Sequence, residues 1–326
     1  MPATNILVIR GGAIGDFVLT LPVLAALRRR FPDARLEVLG YPRVAALAVA
    51  GGLADAIHPI ESGEFASLFA PAPQLPLHLE QFIARFAIMV SYLFDPVGIF
   101  ERHVRQVSSA EFIRGPYRPD ESQSLHATAA LLKPLERLGI READPIPRLD
   151  LAAGRRPGAK PTATGLNRHG TRLGAGGTFW LAAHPGSGSE SKNWPEARWA
   201  AFLARLSGAT DWHLLLVGGE AEGERVKRLA GVWPAARLEI ARDRPLVELA
   251  ARLGRCHQFV GHDSGITHLA AALGLPGVVL WGPSCAKVWR PCSERMALLR
   301  APTGWDALPV ERVLHACLST TTQRGL

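Results

Sequence analysis

Three short stretches of this chain combine residue types and spacings suited to a ligand, two of them to an anion. In the first, an apolar strand (257–261) runs into Asp263-Ser264-Gly265, where an Ala/Leu-rich helix begins. Asp263 or Ser264 caps its first turn, and Gly265 leaves the backbone N–H groups up to Ile266 open to a ligand. Free N–H groups and the positive end of the helix dipole form an anion seat. Capping alone accounts for Asp263 and Ser264, but not for His262 and His268, which flank the same turn. The second stretch, His184-Pro185-Gly186-Ser187-Gly188-Ser189-Glu190-Ser191-Lys192-Asn193-Trp194-Pro195, also lies between a strand and a helix. Small residues around Ser187 followed by Lys192 suit a phosphate cradle, because lysine adds a point charge to backbone donors. A solvated loop is the plain alternative.

The third stretch is Arg10-Gly11-Gly12-Ala13-Ile14-Gly15-Asp16, which joins the first strand to its helix. It is close to a dinucleotide fingerprint, but Arg10 stands where the first glycine belongs. The second strand ends in Leu39-Gly40, without the acidic residue that holds a ribose. A nicotinamide or flavin site is therefore not expected, and no GxxxxGK marks a P-loop. What remains is a turn whose glycines, Gly12 and Gly15, let the backbone approach a ligand and which presents Asp16. A carboxylate at a helix N-terminus is the competing account of Asp16. A weaker acidic candidate is Asp95, after a buried strand. Val217-Gly218-Gly219-Glu220-Ala221-Glu222 ends another strand, where a carboxylate can accept bonds from ribose hydroxyls, although acidic residues favouring a helix N-terminus are the better account of this stretch taken alone. Ser284, after Trp281-Gly282-Pro283, is a further possible ligand contact in what is mainly a turn.

The elements that must position these residues alternate. Strands at 5–10, 35–40, 56–60, 88–94 and 110–114 are separated by helices at 16–31, 42–50, 97–107 and 124–138, with 61–80 mostly loop. The pattern restarts with strands at 178–183, 213–217, 238–240, 257–261 and 277–281, with helices at 196–206, 222–230 and 245–253. Alternation of this kind implies parallel sheets covered on both faces. The expected fold class is α/β: two Rossmann-like, doubly wound parallel-sheet domains facing across a cleft. Residues 1–151 form the first domain and 179–326 the second, which closes on a helix at about 309–318. Residues 152–178, with seven glycines and two prolines, form a linker or mobile loop.

The 326 residues, 48% hydrophobic and 20% charged, describe a well-packed globular chain. No apolar run reaches the roughly 18 residues that span a bilayer, and the N-terminus has no signal-peptide layout. Cys256, Cys285, Cys292 and Cys317 lack the spacing of a zinc site or a disulfide framework, which fits a reducing cytoplasm. The net charge of +8 is uneven. Residues 1–150 are nearly balanced, whereas 151–178 carry Arg155, Arg156, Lys160, Arg168 and Arg172 and no acid. That distribution suits an anionic ligand or membrane surface. Nucleic acid is disfavoured, because the aromatics are not interleaved with the basic residues.

Taken in chain order, Gly11-Gly12-Ala13-Ile14-Gly15-Asp16 with Leu19-Thr20-Leu21-Pro22, then Pro185-Gly186-Ser187 with Ser191-Lys192-Asn193-Trp194-Pro195, then Asp263-Ser264-Gly265-Ile266-Thr267-His268 with Gly282-Pro283-Ser284, resemble glycosyltransferase family 9. This is the family of ADP-heptose:lipopolysaccharide heptosyltransferases. The likeness runs over nearly the whole chain, is looser at about 61–120, and makes 152–178 an insertion. It implies a GT-B architecture, with the acceptor held by the first domain and the nucleotide sugar by the second. It also implies an inverting, metal-independent transfer with no cofactor. Asp16 would be the general base on an acceptor loop of Gly12, Ala13 and Gly15. Lys192 and the N–H groups of Ser264, Gly265 and Ile266 would hold the diphosphate, His268 would face the phosphates, and Ser187 and Asp263 would belong to the same donor site. Glu222, or else Glu220, would bind the ribose. The partners implied are a nucleotide sugar (ADP-heptose) and an anionic lipid-linked glycan, met at the cytoplasmic face of the inner membrane. A transferase or epimerase of the same fold using another nucleotide sugar is one alternative. A non-catalytic nucleotide- or glycan-binding protein is another, and the presence of both Asp16 and Lys192 speaks against it.

Overall fold

Asn5–Arg10 begins the first sheet, and its Ile6, Leu7, Val8 and Ile9 are all buried. A strand apolar on both faces needs a layer on each side, as the centre of a parallel sheet provides. The computed structural model describes residues 4–71, 74–152, 177–219, 222–301 and 303–322. Most of the expected linker, with its five basic residues, lies outside the described residues, as does Glu220. The chain divides into two compact units, Met1–Arg156 and Pro157–Leu326.

In the first unit β1 (Asn5–Arg10), β2 (Arg35–Gly40), β3 (Ala56–Pro59), β4 (Ile88–Ser91) and β5 (Glu111–Arg114) form a parallel sheet in the order β3-β2-β1-β4-β5. In the second, β6 (Trp180–His184), β7 (His213–Gly218), β8 (Leu238–Arg242), β9 (Gln258–His262), β10 (Gly277–Trp281) and β11 (Met296–Arg300) form a parallel sheet in the order β11-β10-β9-β6-β7-β8. The strand order reverses between β1 and β4 in one sheet and between β6 and β9 in the other. Connections leave in opposite directions at such a switch point and open a crevice at the carboxyl edge, where ligands bind in open α/β sheets. The turn after β1, and the turns after β6 and β9, are the three stretches singled out above. Because His184 pairs with Gly261 and Ala183 with Val260, the last two emerge side by side.

Several element boundaries depart from the expected ones. The helix expected over 16–31 is two, Ile14–Val18 and Leu21–Arg30. Pro22 has no N–H to donate and its ring crowds the preceding turn, so it starts a second helix instead of continuing the first. The stretch at 61–80, read as mostly loop, contains a 3-10 turn at Gly63–Leu68 and leads into a helix at Leu77–Ala84. The 124–138 helix gives way after Leu132 to a 3-10 segment, Lys133–Leu138, that carries Pro134. The edge strand β11 was not anticipated. It is only partly buried, so its apolar signal is weak.

Candidate functional site

The second unit brings Lys192 and Asp263 together: Nζ lies 2.6 Å from Oδ2. Asp263 is 8% exposed, whereas the Lys192 side chain keeps 35% of its surface. The next residue, Ser264, is the N-cap of the helix Gly265–Ala272, its Oγ accepting the Thr267 N–H at 3.3 Å. The choice left open between Asp263 and Ser264 as cap thus falls to Ser264, and Asp263 holds the lysine instead. The N–H groups of Gly265 and Ile266 have no acceptor within the helix. A cation is therefore stationed beside the positive end of a helix, an arrangement suited to a phosphate group.

The turn carrying Lys192 is stitched together. Ser187 Oγ donates to the Ser189 carbonyl at 2.8 Å, Asn193 Nδ2 donates to Glu190 Oε2 at 2.9 Å, and Arg225 pairs with Glu190 at 2.5 Å. These bonds count against a merely solvated loop. Glu222, the N-cap of the helix Gly223–Ala230 that follows β7, closes the cluster. Its Oε2 accepts the Gly219 N–H at 2.9 Å, and a Cβ on Gly186 would stand 2.3 Å from its Cγ. Gly186 therefore lets the turn after β6 lie flat against Glu222. His268 is buried on the first turn of the Gly265–Ala272 helix. Ser284 lies in the turn after β10, where its carbonyl accepts the Trp281 indole N–H at 2.8 Å.

His262 had been noticed only as a neighbour of the turn. It is fully buried, and its Nε2 faces two donors: the Trp194 backbone N–H at 2.8 Å and the Trp199 indole N–H at 3.2 Å. Neither can accept, so Nε2 is the bare nitrogen and Nδ1 carries the proton, towards the Gly186 carbonyl at 3.4 Å. Burial, with His184 nearby, pushes the His262 pKa down to about 3. Burial alone lowers His184 to about 4, and its Nδ1 lies 3.2 Å from Ser264 Oγ. Two neutral histidines thus pin the ends of the phosphate-type turns, and the sequence signal for them was only their position at the ends of β6 and β9.

In the first unit Asp16 sits in the helix Ile14–Val18, with its side chain 34% exposed. Its Oδ2 accepts the Ala13 N–H at 2.9 Å, and its Oδ1 lies 3.4 Å from Arg10 Nη2. The Ala13 N–H is therefore committed to Asp16 and not open to a ligand. Gly12 has φ +99°, and a Cβ there would be 2.7 Å from Asp16 Oδ2, so only glycine fits on both counts. Gly15 lies inside the helix. Asp95 is occupied in capping: Oδ1 accepts the Ile99 N–H at 2.8 Å and Oδ2 the Glu101 N–H at 3.2 Å. Among the described residues no group of three or more His, Cys, Asp or Glu side chains is arranged to hold a metal ion, and no helix is long and apolar enough to cross a membrane.

Two parallel-sheet α/β domains with ligand-type turns at their strand carboxyl ends define a protein of the GT-B class. A family model, glycosyltransferase family 9 (heptosyltransferase), matches residues 95–312, and the chain belongs to that family. It is similar to lipopolysaccharide heptosyltransferase 1 of Escherichia coli K12, with 30% identity over 113 residues, and this match spans 35% of the chain and 35% of the relative. With lipopolysaccharide heptosyltransferase 3 of Escherichia coli the identity is 23% over 298 residues, covering 86% of the chain and 84% of the relative. In three dimensions it is similar to the Escherichia coli heptosyltransferase WaaC solved with ADP, at a TM-score of 0.73 and 16% identity, covering 97% of this chain and all of that one.

Proposed function

We propose that the protein transfers a heptose, or a related sugar, from an ADP-sugar to a lipopolysaccharide core or other cell-envelope glycan. The observation that carries this reading is the Lys192–Asp263 pair at the N-terminus of the Gly265–Ala272 helix. Lys192 and the N–H groups of Gly265 and Ile266 bind the diphosphate and meet the charge that develops as ADP departs. Fixed donors of this kind are each worth about 10²–10³ in rate where their geometry suits the transition state. Ser187 lines the same turn, His268 faces the phosphates, and Glu222 accepts bonds from the ribose hydroxyls.

Asp16 is the general base. Each of its oxygens has one protein partner, so each keeps a lone pair for an acceptor hydroxyl. It takes the proton as the acceptor oxygen attacks the anomeric carbon. The bond to the diphosphate breaks on the opposite side, and the configuration inverts. Charge neutralisation by Lys192 and a helix terminus is the basis for reading the transfer as metal-independent. ADP as the nucleotide, and heptose as the sugar, are supported by the family and by the ADP found with the WaaC neighbour. The acceptor in this reading is anionic and lipid-linked, which places the work at the cytoplasmic face of the inner membrane, with the N-terminal unit as the acceptor domain and the C-terminal unit as the nucleotide-sugar domain.

The test is a panel of nucleotide sugars assayed for nucleoside-diphosphate release, with and without deacylated lipopolysaccharide. Acceptor-dependent ADP release from ADP-heptose is expected. Release from a UDP- or GDP-sugar instead would keep the class and overturn the donor. Nucleotide binding without turnover of any donor would favour a binding protein.

A further inference from the structure

Arg10 ends β1 and is 3% exposed, a cation almost wholly removed from water. One arm of its guanidinium, Nη1, donates to the Tyr117 carbonyl at 2.9 Å. The other, Nη2, donates to the Asp16 carbonyl at 3.3 Å and lies 3.4 Å from Asp16 Oδ1. Its Cζ lies 5.8 Å from the centre of the Tyr92 ring, and that ring is held in turn by a 2.6 Å bond from its hydroxyl to the Leu131 carbonyl. A Cβ on Gly115 would stand 2.3 Å from the same ring, so a side chain at 115 would displace Tyr92. The Arg10 Nε is buried without a hydrogen-bond partner.

Such a group is a poor choice for stability. A buried charge with an unsatisfied donor gains little, and an apolar replacement of similar size is often neutral or stabilising. Its partner is of the opposite kind, since the Asp16 carboxylate is one-third exposed and stays solvated without the arginine. What the arrangement does provide is direction. The fork grips Asp16 at backbone and side chain from beneath, while the Ala13 N–H holds the second carboxylate oxygen. We propose that Arg10 is a positioning residue, which fixes the Asp16 carboxylate in one orientation and locks the Asp16 turn to the Tyr117 segment. The proposal rests on the reading of Asp16 as general base. A lysine replaces it only in part, because a single ammonium lacks the planar fork that spans both acceptors.

The experiment compares Arg10→Met, Arg10→Lys, Asp16→Asn and the Arg10→Met/Asp16→Asn double variant, using ADP-heptose with deacylated lipopolysaccharide. Arg10→Met is expected to lower kcat about 10- to 100-fold, the effect of misplacing a reacting group, with KM for the sugar donor, ADP affinity and Tm retained. Arg10→Lys falls between it and the wild type. In the Asp16→Asn background, Arg10→Met adds nothing, because residues acting as a unit are not additive. Hydrogen exchange supplies a readout free of substrate: the Ala13 amide loses protection in Arg10→Met. An unchanged kcat, losses that multiply, or an Ala13 amide still protected would overturn the proposal. If Arg10→Met does not fold, Arg10→Lys carries the same comparisons. Full turnover by Asp16→Asn overturns the base reading and this one with it, whereas a silent Arg10→Met beside an inactive Asp16→Asn overturns this one alone.

Discussion

The Lys192 ammonium and the Asp263 carboxylate, 71 residues apart in the chain, meet at 2.6 Å because β6 and β9 are neighbours at the point where the strand order reverses. The pair holds a one-third-exposed cation beside a helix N-terminus and leaves the rest of its hydration to be replaced by a ligand.

Removing that cation should therefore be felt in binding. Lys192→Ala is expected to weaken ADP by about 10- to 100-fold, the range of one or two hydrogen bonds to charged groups. Isothermal titration measures it directly, and an unaltered affinity would remove Lys192 from the phosphate site.

Gly12 tests the geometry of Asp16 without touching its chemistry. At φ +99° an alanine is strained, and its Cβ would meet Asp16 Oδ2 at 2.7 Å. Gly12→Ala should cost about 1–2 kcal/mol of stability and lower kcat while ADP binding in the other unit is unchanged. A variant with wild-type kcat would show that the position of the carboxylate is immaterial.

Gly186 tests Glu222 in the same way. A methyl group there would stand 2.3 Å from Glu222 Cγ and 2.6 Å from Oε1. Gly186→Ala should displace the carboxylate and raise KM for the nucleotide sugar, as should Glu222→Gln. If neither variant moves KM, Glu222 does not read the nucleotide.

The buried histidines predict a pH dependence of stability. His184 and His262 are held neutral with pKa values of about 4 and about 3, against an unfolded value near 6.5. Above pH 6.5 both are neutral in either state and contribute no slope. Below it the unfolded chain binds protons that the folded chain refuses, so stability falls as pH drops from 6.5 towards 4. Each histidine should cost about 2 kcal/mol by pH 5. Urea denaturation at pH 7.5 and pH 5 reads the difference, and His184→Gln should roughly halve it, leaving the His262 contribution. A stability equal at both pH values would contradict the neutral, buried assignment.

Much of this was legible in the linear chain. Short unbroken apolar runs such as Ile6–Ile9, bounded by turn residues, read as central strands, and their alternation with helices implies parallel sheets. Glycine and serine punctuation marked the turns at Gly12, Gly186 and Gly265 because those residue types serve tight turns and caps. Boundaries were less legible where an element depends on its neighbours: the exposed edge strand β11 is held by pairing with β10, and a proline decided the break after Val18.

The residue types at the turns of each unit, Asp16 in the first and Lys192, Glu222 and Ser264 in the second, were readable from their local context, since a helix cap or a glycine-rich turn is a short-range device. Their partners were not. Whether Asp263 caps the helix or holds Lys192, that His262 receives two tryptophan N–H groups, and that Arg10 grips Asp16 while reaching Tyr117 depend on strand order and side-chain packing. All but the Arg10–Asp16 contact join residues 63 to 107 positions apart, and no local propensity encodes them. The sequence by itself determined which chemistry each turn could hold. The tertiary structure decided which groups face one another, because only the assembled sheets, covered by their helices and dry inside, put the buried arginine of one and the two neutral histidines of the other against the partners they need.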